Sequence, residues 1–297
     1  GANNTAVGES ALKANTTASL NTAVGKEALS ANTTGANNTA VGAYALDVHT
    51  TGQNNTAVGT YALDAQTTAD GNTAVGYAAG TALTTGEKNV AMGESALATA
   101  TTGTYSVAIG VAALYANTTG SNNTSLGKSS LESNTTASHN VAVGVSCMAN
   151  NTTGAENTAM GNYALDANTT ASFNVAVGVH ALGACTVGAS NVAVGYEALK
   201  ANTTAANNTA VGYAALQANT TGAQVTAFGV SAGYSNTTGS NNLFLGRDAG
   251  YSGSPGGNIT TGSNEIVLGD ENITEAHIQV DWTIASDKRD KTDVSPM

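Results

Sequence analysis

The sequence predicts an all-β chain: a parallel β-solenoid of about 16 coils with a 17-residue period, assembled with further copies of itself. Three observations predict it. The glycine of a TAVG element recurs from Gly8 to Gly246 at fourteen successive intervals of 17 residues, and a further copy, NEIVLG, ends at Gly269 after an interval of 23. A fixed short period held without insertions is the signature of stacked repeats, because one added residue would turn every later side chain to the opposite face. Each copy carries the same short β-branched segment, N-[TV]-A-[VIMLF]-G. Both alternating faces of that segment are apolar or small, which calls for a second cover.

Take the glycine as position 0. Position −1 is apolar in all fifteen regular copies, position −2 is Ala in thirteen, and position −4 is Asn in thirteen. With a period of two, −3 and −1 share one face while −4, −2 and 0 share the other. A single-chain solenoid has one inside, so the second apolar stripe points to another copy of the chain. The reading places the Val stripe against sister chains and the Ala/Gly stripe in the chain's own interior; the reverse assignment stays open.

The second half of the coil reads A-L-x-[AS]-N-T-T-[GA], with Ala at +3 in thirteen copies and Leu at +4 in eleven. A helix of about five residues is too short to stand alone. A second short strand is expected, making a flattened two-sided roll. The TTG turn is expected to place its glycine at positive φ. Stacked coils align Asn over Asn and Thr over Thr, so amides satisfy one another between layers. Sixteen coils span roughly 75–80 Å at about 4.8 Å each.

The expected organisation is repeats over 1–252, then a loop insertion (GSPGGN, Gly253–Asn258), last coil and neck over 253–285, then a short tail over 286–297. Gly1 corresponds to Gly35, in the middle of a repeat, so the chain reads as a piece of something longer or as a processed product.

Net charge is −11 at pH 7 and charged residues make up 10% of the chain, which disfavours nucleic acid and anionic membrane surfaces as partners. No apolar run reaches the 18 residues of a spanning helix, so no membrane insertion is expected. Cys147 and Cys185 lack CxxC spacing and read as small buried residues. His49, His139, His180 and His277 are scattered and read as solvent-facing substitutions, so neither a metal site nor a cofactor is expected. Dispersed carboxylates offer no pair for glycoside hydrolysis. The NNT and NTT sequons read as ladder and turn chemistry. YALD recurs at Tyr44–Asp47, Tyr61–Asp64 and Tyr163–Asp166. Tyr beside a carboxylate suits sugars, so Tyr44, Asp47, Tyr61, Asp64, Tyr163 and Asp166 are the candidate receptor-binding residues.

The NTAVG element resembles the NSVAIG-type repeat of trimeric autotransporter adhesin heads, and the 17-residue version is similar to repeats in tail fibres of environmental bacteriophages. The tail AHIQVDWTIASDKRDKTDVSPM (Ala276–Met297) resembles the entrance to the endosialidase-type intramolecular chaperone domain of phage tailspikes and fibres. That family's Ser-Asp-x-Arg-x-Lys signature falls on Ser286, Asp287, Arg289 and Lys291. The resemblance implies that Ser286 and Lys291 form a self-cleavage dyad acting between Ala285 and Ser286. That chaperone domain runs on for about a hundred residues, so no cleavage and no enzyme activity are expected of the chain as given. The expected function is a structural segment of a phage tail fibre that attaches to a host surface, located on the virion and outside the cell. The resemblance implies assembly as a homotrimeric fibre, so its partners would be its own copies, a host glycan or protein receptor, and other fibre or baseplate proteins. A bacterial trimeric surface adhesin head is the first alternative and an ice-binding Thr-ladder solenoid the second.

Overall fold

The computed structural model describes residues 1–275. The tail from Ala276 onward, with Ser286 and Lys291, lies outside the described residues. Sixteen three-residue strands, from β1 (Thr5–Val7) to β15 (Leu243–Leu245) and β16 (Ile266–Leu268), form one parallel sheet in strict chain order. Each strand pairs with the next in the register of the repeat, Thr5 opposite Thr22 and Ala6 opposite Ala23. The insertion before the last coil does not disturb this: Leu243 faces Ile266 and Leu245 faces Leu268. The amide of Ile259 donates to the carbonyl of Gly250 (3.1 Å), closing the inserted loop with the bond that an ordinary coil makes across two residues, as from Asn117 to Leu114.

The face assignment agrees with the pattern read from the strands. Ala23, Ala40, Ala57 and their equivalents are fully buried, while the −1 residues lie outward, with Val7 at 58% exposure and Phe228 at 55%. The segment after the glycine corrects the expected two-sided roll. It forms a run of turns and not a second strand. Leucine at +4 takes φ between 49° and 54° from Leu12 to Leu216, and the +2 residue is also left-handed, as at Glu27 (57°) and Tyr44 (61°). Such backbone costs roughly 1–2 kcal/mol for a residue with a Cβ. Burial of a leucine side chain returns about 1.5–3 kcal/mol, and Leu29, Leu46 and Leu114 are fully buried. Turning the chain here puts adjacent residues +3 and +4 both into the core, which a strand does not do.

The TTG turn is a second correction. Its glycine is not at positive φ; that conformation falls two residues later, at Asn37 (59°), Asn54 (59°) and their equivalents.

Two files of side-chain amides lock the layers. At −4, the Oδ1 of Asn38 accepts from the backbone N–H of Asn55 in the next coil (2.9 Å), while its Nδ2 donates to the carbonyl of Gly52 in its own coil (2.9 Å). At +7, Asn151 Nδ2 donates to Asn134 Oδ1 (3.0 Å) and to the Gly154 carbonyl (2.9 Å). The +8 threonines add a third file, with Thr50 Oγ1 donating to the Thr67 carbonyl (3.0 Å). Every amide buried in the interior needs such a partner, and the repeat supplies one per layer. The three ion pairs among the described residues are all between near neighbours on the surface and add little.

Departures from the repeat are compensated in place. Ser125 replaces the core alanine at −2, Ser130 replaces the one at +3 in the same coil, and the Ser125 hydroxyl donates to the Ser130 carbonyl (2.8 Å). Phe244 replaces the −2 alanine and is fully buried. Its ring occupies the space that side chains at Gly233 and Gly250, the glycines at +4, would otherwise fill. Cys185 replaces the +7 asparagine and its thiol reaches the same carbonyl, that of Gly188 (3.2 Å). Both cysteines are buried and free, and burial pushes the Cys147 thiol up to about 12 and that of Cys185 up to about 11. Neither carries thiolate near neutral pH, as the reading of small packed residues implies.

His49 is a third correction. It is fully buried at +7, not solvent-facing. Nε2 bonds to the Gly52 carbonyl (2.8 Å), leaving His49 Nδ1 and Asn32 Oδ1 without partners. Burial pushes its pKa below the ordinary 6.5. The folded group therefore resists protonation while the unfolded one accepts it, so stability is full above about 6.5 and is lost as pH falls from there toward the depressed folded value. His49→Asn restores the file and removes a buried titrating group. We expect it to raise the melting temperature at pH 5 more than at pH 8, with a gain of about 1–2 kcal/mol at the lower pH. Equal shifts at both pH values would contradict this account.

Candidate functional site

The turn run between +1 and +6 follows directly on the strand and its glycine. Its variable positions +2 and +5 carry the tyrosines and carboxylates singled out in the sequence. The stacking period brings equivalent residues of neighbouring coils into files. Tyr44 and Tyr61 stack with ring centroids 5.2 Å apart, and Tyr77, at +1, meets Tyr61 edge-on at 6.2 Å. The ammonium of Lys26 sits 5.5 Å from the Tyr44 centroid. Asp47 and Asp64 are neighbours at +5, but both are engaged: Asp47 accepts from the Ser30 hydroxyl (2.5 Å) and Asp64 from the Thr81 hydroxyl (2.5 Å). These carboxylates tie coils together.

Tyr163 and Asp166 stand six coils further along, about 29 Å away at the spacing of stacked strands. The three YALD copies therefore form two separate patches. Tyr163 stacks on His180 (5.2 Å, 10° between planes). Asp166 is half-buried, and desolvation holds its carboxyl above the usual range. It borders a groove of about 580 Å³ together with His180, Gly183, Lys200 and Gln217. The +6 residues Ala184, Ala201 and Ala218 also line it. Lys200 pairs with Glu197 (2.6 Å), and Gln217 bonds to the other Glu197 oxygen. That pairing raises the Lys200 pKa and lowers that of Glu197.

Sequence reasoning found Tyr163 and Asp166 but missed Gly183, His180, Lys200 and Gln217. One signal was present: in the fifteen regular copies, Gly183 is the single glycine at +5. An alignment of the repeats against one another exposes that gap, whereas a search for catalytic or metal motifs passes over it. A second, smaller groove of about 360 Å³ lies beside the last coils, among Thr226, Asn241, Leu243 and Glu265.

The sequons divide by position. The asparagine of NTT is the +7 file and is buried, as at Asn117 and Asn151. The first asparagine of NNT is exposed, as at Asn54. Among the described residues no group of three or more His, Cys, Asp and Glu side chains is placed to hold a metal ion. No helix among them is long and apolar enough to cross a membrane. Comparison with known proteins finds no matching family model, no matching curated protein and no matching solved structure.

Proposed function

We propose that this chain is a structural segment of a homotrimeric fibre, of the phage tail-fibre kind, that attaches its bearer to a host surface. The observation that carries the reading is the outward apolar stripe. Position −1 presents Val7, Val58, Met92, Leu126, Met160, Phe228, Leu245 and Leu268, all between 36% and 58% exposed. The −3 file of Thr and Val runs beside it. With three residues per strand and sixteen strands, the face measures about 10 Å by about 70–75 Å, or roughly 700 Å². Isolated soluble chains rarely leave so large a continuous patch uncovered, and about 800 Å² per partner is the size of an ordinary stable interface. A second copy fits best, because a periodic stripe is complementary to the same stripe. The count of three rests on the resemblance of NTAVG to trimeric adhesin heads. The external location, and the fibre or baseplate proteins as neighbours, rest on the resemblance to phage fibres.

Replacing Val177 and Val194 with lysine places two charges on the stripe without touching the chain's own core. We expect folded monomers with unchanged secondary structure, read by sedimentation. An unchanged mass would contradict the reading. A bacterial surface adhesin head shares this assembly and differs in the domain joined to the repeats in the full gene product.

One observation favours the ice-binding reading as the second. Thirteen of the fifteen +9 residues are threonine, Val187 and Pro255 being the exceptions. They form an exposed file, while the +8 threonines are half-buried and bonded to backbone. Thermal hysteresis in the purified protein would distinguish it from the fibre.

A further inference from the structure

We propose that the groove at Gly183 is a binding cleft for a neutral oligosaccharide; this rests on the attachment reading and names its ligand class. Three features point there.

The groove is made by one substitution. Every other regular copy carries a side chain at +5, with Asp166 before the gap and Lys200 after it. Glycine is not required there by the backbone, because Gly183 is not left-handed. A Cβ at that position would sit 3.3 Å from the His180 carbonyl oxygen and 3.4 Å from Asp166 Oδ1, close contacts but not collisions. The groove that passes over the missing side chain measures about 580 Å³, within the roughly 300–1,000 Å³ of small-molecule sites. The lining runs over four successive coils, about 14 Å from first to last.

The chemistry of the lining suits a sugar. Alanine methyls at +6 supply an apolar surface, and the amides beneath are already satisfied: Ala184 donates to the Lys200 carbonyl (3.0 Å) and Ala201 to that of Gln217 (3.0 Å). The rim alternates acceptors and donors, with Asp166, His180, Lys200 and Gln217. A pyranose presents one C–H face and a ring of hydroxyl groups at its edge, which matches an apolar surface inside a polar rim. The Tyr163 ring stacks on the His180 ring and steadies it at the rim.

Charge selects a neutral ligand over an acidic one. The rim's one cation, Lys200, is held by Glu197 at 2.6 Å, and Asp166 carries no ion pair of its own. A sialic acid or phosphate group would meet a net negative rim on a chain of net charge −11.

The test is saturation-transfer NMR with cellobiose, lactose, maltose and sialyllactose against the full chain. We expect at least one neutral disaccharide to bind. Gly183→Gln puts a side chain into the gap and should weaken binding at least about tenfold, a loss of about 1.4 kcal/mol. Asp166→Asn should weaken it by a smaller factor. Ala149→Gln adds the same side chain to the same file two coils away and should leave binding unchanged. Absence of signal from all three neutral sugars, or wild-type binding by Gly183→Gln, overturns the proposal. Preferential binding of sialyllactose, lost in Lys200→Ala, overturns the neutral class. The mass of the same samples separates the two readings: a trimer that binds no sugar sinks the cleft alone, and a monomer that binds sugar sinks the assembly alone.

Discussion

Gly144→Ala is expected to disrupt the solenoid locally and severely. Fourteen glycines at position 0 hold φ between 131° and 141°, with Gly144 at 139°, where residues with a Cβ rarely go. A Cβ on Gly144 would also lie 2.6 Å from both the carbonyl carbon and the carbonyl oxygen of Gly161 in the next coil. Strained backbone of this kind costs about 1–3 kcal/mol, and forcing atoms into filled space adds about 1–3 kcal/mol. Repeat arrays depend on nearest-neighbour interfaces, so the damage centres on the coils before and after residue 144. Hydrogen exchange should show lost protection at Gly144, Gly161 and the flanking strands, with a lower melting temperature overall. Gly188→Ala is the control. Alanine already stands at the equivalent position in Ala69, Ala171 and Ala205, each buried; a Cβ on Gly188 would press on the Ala205 carbonyl oxygen, but Gly188 is not at positive φ, so the backbone strain is absent and the change should cost less than Gly144→Ala. If both variants melt alike, position 0 is not the steric hinge of the coil.

Asn157→Leu is expected to be about as costly, for a different reason. The branching of the side chain is kept, but the Oδ1 that receives the Asn174 amide (2.9 Å) disappears, as does the donor to the Ala171 carbonyl (2.9 Å). Ala171 keeps a second donor from Asn168 (3.1 Å), so the lasting orphan is the Asn174 N–H. An unsatisfied buried amide costs about 1–3 kcal/mol, and the lost bonds add to it. A total near 2–4 kcal/mol by denaturant titration is the expected result. The chain contains the reverse experiment. Val225 occupies the same position one coil before Asn242, and there the file is interrupted. Val225→Asn restores a donor and an acceptor and should stabilise by about 1 kcal/mol. A neutral Asn157→Leu together with a neutral Val225→Asn would show that the file is decorative.

Much of this architecture was legible in the sequence, because a strict period ties each residue to its copies in the neighbouring layers. The buried Ala stripe, the outward Val stripe and the asparagine file at −4 all come from period-two alternation in N-[TV]-A-[VIMLF]-G. The second half of the coil was not legible in the same way. Ala at +3 and Leu at +4 are adjacent and both apolar, while +2 and +5 vary freely; that pattern excludes a half-buried strand, and the left-handed leucine is what reconciles it. The burial of His49 was open to view, since its copies at +7 are mostly asparagines that close the coil. Paired departures such as Ser125 with Ser130, or Phe244 with Gly233 and Gly250, need the core geometry before they make sense. The groove was half legible: Tyr163 and Asp166 stood out as a motif, but a groove is made by what is missing, and Gly183 carries no chemistry to attract notice.

The central claim is that sibling chains cover the outward stripe of −1 side chains. The most direct test is the mass of the unaltered protein in solution by light scattering, across a hundredfold dilution. A particle of three times the 29.2 kDa chain mass, persisting on dilution, is the predicted result. A well-folded particle of single-chain mass at every concentration would contradict it.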